Sequence, residues 1–231
     1  MRTRLRDAVE LLDATRHDPA ELANSMAQVA EVNRLLGGNR AVWSALEPLL
    51  AHGRTTGILD IGTGSADIPA DVARRARRSR RDVAILATDL HPQMRDLALA
   101  SAGRDDAVRI GAADARALPY RDGAFDVALL SLTLHHFEED DQVVVLREAA
   151  RVARRAIIVN ELERCAANYV GARLLAATRW RGNRLTRHDG PISVLRAFTM
   201  DELRNLARRA GLRVHGIERR FFYRLVLRAS Q

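Results

Sequence analysis

The sequence predicts an α/β protein, in which a parallel sheet has helices on both faces and a helical cap at the N-terminus. Two observations lead to this prediction. From residue 57 onward, short apolar strands alternate with helical segments, which is typical of parallel strands joined by crossover helices. The first strand, 57–61, runs into a turn with two glycines and then into a helix, an arrangement that presents backbone amides to a nucleotide-like ligand.

The N-terminal segment 1–53 is predicted to be helical. Asp18–Glu21 has the pattern of an N-cap, a first-turn proline and a capping-box acid. Apolar residues at helical spacing follow it, and Gly37-Gly38 ends this helix before a second one at about 39–51. The segment is either a structural cap on the edge of the sheet or a lid over the substrate, because both need an apolar face.

Residues 54–231 are predicted to form the main domain. Its strands are expected at 57–61, 83–88, 107–111, 125–131 and 156–160, followed by closing strands at about 212–219 and 221–228. Thr199–Glu202 has the pattern of a capping box that opens the last helix. We expect residues 161–198 to be an insertion on the substrate side, with a helical piece at about 169–180 and a long loop after it.

The glycine turn distinguishes between two classes of ligand. Asp60 stands two residues before Gly62, and Gly64 follows. The NAD fingerprint G-x-G-x-x-G requires a third glycine at position 67, where this chain has Asp67. An acid at the tip of the first strand would repel a pyrophosphate but suits a ligand with a positive amine. S-adenosylmethionine has that amine and no phosphate.

At this turn the chain resembles the class I S-adenosylmethionine-dependent methyltransferases. Asp89 ends the second strand, where a carboxylate can accept both ribose hydroxyls of an adenosyl ligand, although an NAD enzyme would use the same acid. The stretch 118–137 looks like the region around strand four in the methyltransferases of ubiquinone and menaquinone biosynthesis. The resemblance covers roughly residues 57–160 and, more loosely, 199–228. It implies a Rossmann-like, mostly parallel sheet of seven strands with the last one antiparallel.

The resemblance also implies that S-adenosylmethionine is the cofactor, and it assigns residues to each part of that molecule. Asp60 is assigned to the amino group of the methionine moiety, and the backbone at Gly62, Thr63 and Gly64 packs against the ligand. Asp89 is assigned to the ribose, and Ser131 to the sulfonium. The residues assigned to adenine are Leu90, Met94, Asp114 and Ala115. Asp114 has a simpler interpretation as a turn-forming aspartate. Ala66 stands where the family most often has a third glycine.

His135 and His136 follow the fourth strand, where the donor methyl group should meet its acceptor. An imidazole can deprotonate a phenol or an enol, and His136 is the first candidate of the two. The alternative is a pair that only shapes the pocket, since an in-line displacement can proceed by positioning alone. His188 and Asp189 are a second candidate pair. No metal site is predicted, because the histidines are not spaced with carboxylates as a ligand set requires.

Charge and composition limit the classes of partner. The net charge is +8, and every basic residue is an arginine, mostly placed at helix ends where cations complement the helix dipole. With aromatic residues at 4%, few side chains can stack on bases, so a nucleic-acid partner is not expected.

No apolar run is long enough to span a membrane. The single cysteine, Cys165, excludes a disulfide framework and predicts a cytoplasmic location.

The sequence therefore predicts S-adenosylmethionine-dependent methyl transfer to a small apolar or aromatic acceptor held near the histidine pair. An oxygen acceptor is the first expectation and a carbon acceptor the second. Two alternatives stay open: a non-catalytic cofactor-binding or partner-binding protein of the same fold, and a nucleic-acid methyltransferase. The latter usually has an Asn/Asp-Pro-Pro-aromatic run after strand four, where this chain has 131–134, Ser-Leu-Thr-Leu. The choice between monomer and homodimer is open.

Overall fold

A computed structural model describes residues 3–5 and 8–231, and a seven-stranded sheet is its central layer. The strands are β1 (Thr56–Ile61), β2 (Val83–Thr88), β3 (Val108–Gly111), β4 (Phe125–Ser131), β5 (Ala153–Leu162), β6 (Arg213–Arg220) and β7 (Arg224–Ser230). Their spatial order is β3-β2-β1-β4-β5-β7-β6. Strand β7 is antiparallel to both of its neighbours, and the pairs from β3 to β5 are parallel. The predicted fold class is confirmed.

The helices are α1 (Pro19–Leu35), α2 (Gly38–Leu46), α3 (Asp67–Arg78), α4 (Pro92–Ala102), α5 (Glu139–Val152), α6 (Ala166–Ala177), α7 (Arg184–Arg196) and α8 (Met200–Arg209). Local chemistry fixes several of their starts. The backbone N–H of Glu21 donates to the Asp18 carboxylate at 2.8 Å, which caps α1. Both bonds of the capping box between Thr199 and Glu202 are present at the start of α8.

The core lies on both faces of the sheet because successive side chains of a strand point to opposite faces. Ile58 belongs to the apolar cluster beneath α2, α3 and α4, and its neighbour Leu59 belongs to the cluster beneath α5 and α8. Burial of each such side chain stabilises the fold by roughly 1.5–3 kcal/mol. The second N-terminal helix is therefore part of the core, whereas α1 lies over the carboxyl ends of the strands.

The division into a cap at 1–53 and a domain at 54–231 stays a prediction. Positions 1–2 and 6–7 of the predicted cap lie outside the described residues. None of the helices in the described parts of the chain is both long and apolar enough to cross a membrane.

The expectation of a long loop after residue 180 is wrong, because α7 occupies most of this stretch. The side chain of Asn183 accepts the backbone N–H of Thr186 at 3.1 Å and so caps the helix. Gly190 lies against the Trp180 ring, where an added Cβ would stand 2.3 Å from Cζ3. Gly190 and Pro191 suggested a loop, but close packing outweighs their low helix propensity here.

Candidate functional site

A cavity of about 990 Å³ lies where β1, β2 and β4 end, beneath α1, α6 and α7. In an open parallel sheet, ligands bind outside the carboxyl ends of the strands where the strand order reverses, here between β1 and β4. Every residue predicted to contact the cofactor lines this cavity, and so do both predicted catalytic histidines. Their roles stay predictions, but the fold places these side chains around one space.

The turn after β1 has a shape that favours glycine. Gly62 has a φ of 70° and Gly64 a φ of 56°, both in the left-handed region. A Cβ at Gly62 would stand 2.3 Å from Cγ2 of Thr133, whose hydroxyl donates to the Gly62 carbonyl at 3.0 Å. Ala66 is also left-handed, with a φ of 58°, and precedes α3. A glycine at that position would avoid this strain, which is consistent with the family's usual residue.

Asp60 and Asp89 lie on either side of the glycine turn. Asp60 is 2% exposed, and burial raises its pKa to about 7, with the nearby carboxylates of Asp67 and Asp89 acting in the same direction. Asp89 accepts the backbone N–H of Gly64 at 2.9 Å and that of His91 at 2.8 Å. These two bonds orient the Asp89 carboxylate, and each oxygen keeps a lone pair for a ligand.

At the opposite edge of the cavity, Asp114 is already paired. Its carboxylate accepts the backbone N–H of Arg116 and also contacts the guanidinium of that residue at 2.9 Å. The bond from Arg116 holds the pKa of Asp114 below its usual value. The turn-forming interpretation of Asp114 therefore matches its geometry, and an adenine contact stays a prediction. Met94 is buried in the cavity wall, whereas Leu90 is 59% exposed.

Beside β4, Ser131 accepts a hydrogen bond from the Asn160 side-chain amide at 2.8 Å. The carbonyl oxygen of that amide is buried without a hydrogen-bond partner. Ser131 lines the cavity where the sulfonium is predicted to lie.

The two histidines each contact a carboxylate through Nδ1. Nδ1 of His135 is 2.7 Å from Oε2 of Glu161, and both side chains are fully buried. Nδ1 of His136 is 2.8 Å from Oδ1 of Asp13. Arg196 donates to both histidine carbonyls, from Nε at 3.0 Å and from Nη2 at 2.9 Å, and so fixes the backbone that carries the pair.

The protonation of His136 is set by surrounding negative charge. Burial alone would lower its pKa, but neighbouring carboxylates outweigh burial and raise the pKa to about 9; they belong to Glu10, Asp13 and Glu161. His136 is therefore a cation near neutral pH, and the neutral ring that a general base needs is the minor form there. Which of the two histidines acts as the base stays a prediction, and the charge on His136 favours His135 for this role.

The second candidate pair has a structural task. The Asp189 carboxylate accepts the backbone N–H groups of Leu11 and Leu12 at 2.8 and 2.9 Å, which ties the N-terminal segment to α7. Nδ1 of His188 lies 2.7 Å from the same carboxylate, but His188 itself does not line the cavity.

Sequence reasoning missed Arg224, a buried cation in the cavity wall. It is 1% exposed, and its Nη2 donates to Oδ1 of Asn33 at 3.0 Å, while Nε and Nη1 have no hydrogen-bond partner. Asn33 in turn donates to Asp67 at 3.0 Å. Burial lowers the pKa of Arg224 to about 10, against the opposing effect of Glu161 and Asp67. Nothing in the sequence separates this arginine from the others, because its burial depends on the packing of α1 against β7.

Comparison with known proteins agrees with the motifs. Residues 59–158 match the sequence profile of a family described as a methyltransferase domain. The matched region begins in β1 and ends in β5, so it includes the glycine turn, Asp89 and the histidine pair. No curated protein sequence matches the chain.

Several solved structures share the fold. An S-adenosylmethionine-dependent methyltransferase from Aquifex aeolicus superposes with a TM-score of 0.63 at 18% identity, over 93% of this chain and 98% of that one. A putative O-methyltransferase from Nostoc punctiforme gives 0.64 at 16% identity, over 92% and 60%. Magnesium protoporphyrin IX methyltransferase from Synechocystis, solved with S-adenosylmethionine bound, gives 0.57 at 16% identity, over 87% and 82%.

Proposed function

We propose that the chain is a class I S-adenosylmethionine-dependent methyltransferase and that it methylates a small apolar or aromatic acceptor. The acceptor lies against His135 and His136. Oxygen is the first expectation for the atom that is methylated, and carbon is the second. The observation that supports this proposal is the single cavity in which the glycine turn, Asp60 and Asp89 lie together with the histidine pair.

The residues present fit the cofactor. Gly62, Thr63 and Gly64 line the cavity, so the glycine turn faces the space that the cofactor would occupy. When bound, S-adenosylmethionine supplies an electrophilic methyl group on a sulfonium. Asp89 binds the ribose hydroxyls, and Asp60 takes the amino group of the methionine moiety.

Arg224 completes the binding of that methionine moiety. An α-amino acid group has a carboxylate as well as an amine, and the amine alone would leave that carboxylate without a partner in the cavity. Nε and Nη1 of Arg224 have no hydrogen-bond partner in the protein, so the guanidinium keeps donors for a ligand. A hydrogen bond from a guanidinium to a carboxylate is charge-assisted, and such bonds are among the strongest that proteins make.

The acceptor end of the cavity has an apolar wall. Its side chains come from α1 and the residue after it, from α6 and the segment after it, and from the turn between β6 and β7; they are Val29, Val32, Leu36, Leu174, Leu175, Trp180 and Phe222. An apolar or aromatic acceptor would bury its surface here, at about 25 cal/mol for each Å² removed from water. A strongly polar acceptor would find few partners on this wall.

An oxygen acceptor must lose a proton as it attacks the methyl carbon. In the protein as described, Nδ1 of His135 donates to Glu161, which leaves Nε2 as the atom that can accept this proton. The oxygen then forms its bond to the methyl carbon while the carbon–sulfur bond breaks, and the sulfur keeps the electron pair. His135 and His136 also position the acceptor in line with that bond.

The first experiment is calorimetric titration of the purified protein with S-adenosylhomocysteine and, separately, with NADH. We expect micromolar binding of S-adenosylhomocysteine alone and its loss in Asp89→Ala. Failure to bind S-adenosylhomocysteine at millimolar concentration would refute the cofactor assignment. Turnover with a panel of phenols and quinols then tests the acceptor class. Methylation confined to polar acceptors such as sugars would contradict it.

A further inference from the structure

We propose that Glu10, His135 and His136 bind a divalent transition-metal ion at the acceptor end of the cavity. The three residues come from the N-terminal segment and from the turn after β4, and one ligand atom from each lies within 4.8 Å of the others. Oε1 of Glu10 is 3.8 Å from Nε2 of His135. Ligands about 2.1 Å from a shared ion stand roughly 3–4 Å apart, so small side-chain movements complete the site.

The histidines are already oriented as metal ligands. Each ring uses Nδ1 to contact a carboxylate, Glu161 in the case of His135 and Asp13 in the case of His136. Nε2 is thereby left as the ligand atom on both rings. Carboxylate–histidine–metal arrangements of this kind are the usual outer shell of metal sites, because the carboxylate fixes the ring and makes the free nitrogen more basic.

Glu10 supplies an independent observation. Its side chain is 1% exposed, and Oε2 accepts the hydroxyl of Ser193 at 2.8 Å, but Oε1 has no hydrogen-bond partner. A buried carboxylate oxygen without a partner is costly, and the cost is removed when the oxygen binds a cation. Glu10 lines the same cavity as the two histidines.

Two positive groups stand among these side chains, the guanidinium of Arg196 and the imidazolium of His136. Nε of Arg196 is 3.8 Å from Oε1 of Glu10. The guanidinium is engaged elsewhere, because it donates to the carbonyls of Ala8, His135 and His136. The carboxylates around the histidines outnumber these two positive groups; they are Glu10, Asp13 and Glu161. The charge balance therefore favours an additional cation.

Ligand chemistry selects the class of ion. Two imidazoles and one carboxylate favour Zn²⁺, Co²⁺, Fe²⁺ or Mn²⁺ over the oxygen-seeking Mg²⁺ and Ca²⁺. Three protein ligands leave one or more positions open, and these face the cavity.

The consequence for catalysis rests on the proposed function. An acceptor hydroxyl that occupies the open position has a lowered pKa and releases its proton to solvent. Its oxygen then bonds to the methyl carbon as the carbon–sulfur bond breaks and the sulfur keeps the electron pair. In this state His135 and His136 are ligands, and neither acts as the base.

The test is titration of the chelator-treated protein with Co²⁺, followed by visible absorption and calorimetry. We expect one Co²⁺ per chain with micromolar affinity, competition by Zn²⁺ and no competition by millimolar Mg²⁺. Glu10→Gln keeps the size of the side chain and should weaken Co²⁺ binding at least tenfold. His215→Ala, at an exposed histidine of β6 that does not line the cavity, is the matched control and should bind Co²⁺ as the parent protein does.

Binding of S-adenosylhomocysteine is measured on the same samples and reports on the fold and on the proposed function separately. Intact S-adenosylhomocysteine binding together with no Co²⁺ binding at millimolar concentration would refute the metal site alone. Equal Co²⁺ binding by the parent protein and by both Glu10→Gln and His136→Ala would also refute it. Co²⁺ binding without S-adenosylhomocysteine binding would support the site and refute the proposed function.

Discussion

Nδ1 of His135 and Oε2 of Glu161 lie 2.7 Å apart, and neither side chain reaches solvent. The second oxygen of Glu161 accepts the backbone N–H of Leu134 at 2.8 Å, so this carboxylate fixes both the ring and the turn that carries it. Burial would raise the pKa of Glu161, but His135, His136 and the backbone N–H of Leu134 together outweigh burial and lower it, so the carboxylate is ionised. The pair orients Nε2 of His135 whether that atom accepts a proton or binds a metal ion.

Glu161→Gln is therefore expected to reduce kcat by roughly 10- to 100-fold, because the ring loses the carboxylate that orients it. Affinity for S-adenosylhomocysteine should not fall, because Glu161 does not line the cavity and the loss of its negative charge leaves Arg224 more attractive to the ligand carboxylate. Steady-state kinetics and calorimetry measure the two effects. Glu31→Gln removes an exposed glutamate that pairs with Arg179 and serves as the control. An unchanged kcat in a folded Glu161→Gln protein would contradict the role.

Arg224→Met should weaken S-adenosylhomocysteine binding by roughly 10- to 100-fold. The loss corresponds to a hydrogen-bonded charge worth about 1.5–3 kcal/mol. The ligand 5′-methylthioadenosine has neither the carboxylate nor the amine, so its affinity should be the same in the parent and variant proteins. Calorimetry with both ligands makes the comparison. An equal loss for both ligands would indicate that Arg224 supports the cavity wall and does not contact the carboxylate.

Affinity for S-adenosylhomocysteine should rise with pH because the ligand amine needs an ionised Asp60. With the pKa of Asp60 raised to about 7 in the free protein, the ionised fraction grows roughly eightfold between pH 6 and 7.5. We expect a similar gain in affinity, measured by calorimetry at constant ionic strength. In Asp60→Asn the affinity should be weak and should not change over this range. A pH-independent affinity in the parent protein would contradict the prediction.

The same shift affects the stability of the free protein in the opposite direction. The folded protein holds the Asp60 proton up to a higher pH than the unfolded chain does, because its folded pKa is raised from 3.8. The contribution of this group is therefore fully present below pH 4 and is lost as the pH rises through about 7. The midpoint of thermal unfolding of Asp60→Asn should exceed that of the parent protein at pH 8 and should approach it at pH 5. The reverse order would contradict the assignment of this pKa.

The sequence predicted those parts of the site that depend on a local motif. A strand, a glycine turn and a helix are contiguous in the chain, so Asp60, Gly62 and Gly64 could be placed from their spacing alone. Glu10 and Arg224 could not, because their burial depends on contacts between distant segments. Glu10 accepts a hydrogen bond from Ser193, which is 183 residues away, and Arg224 donates to Asn33, which is 191 residues away. The helix α7 was missed for a similar reason, since Gly190 is there to fit the ring of Trp180.

Gly62→Ala tests the turn itself. The added Cβ would stand 2.3 Å from Cγ2 of Thr133, in a backbone conformation with a φ of 70°. Strain of this kind costs about 1–3 kcal/mol, and any shift of the turn displaces the backbone that faces the cofactor. We expect a lower unfolding midpoint and loss of S-adenosylhomocysteine binding. Gly182→Ala is the control, because a Cβ there meets nothing within 4 Å. Equal binding by both variants would show that the turn does not contact the ligand.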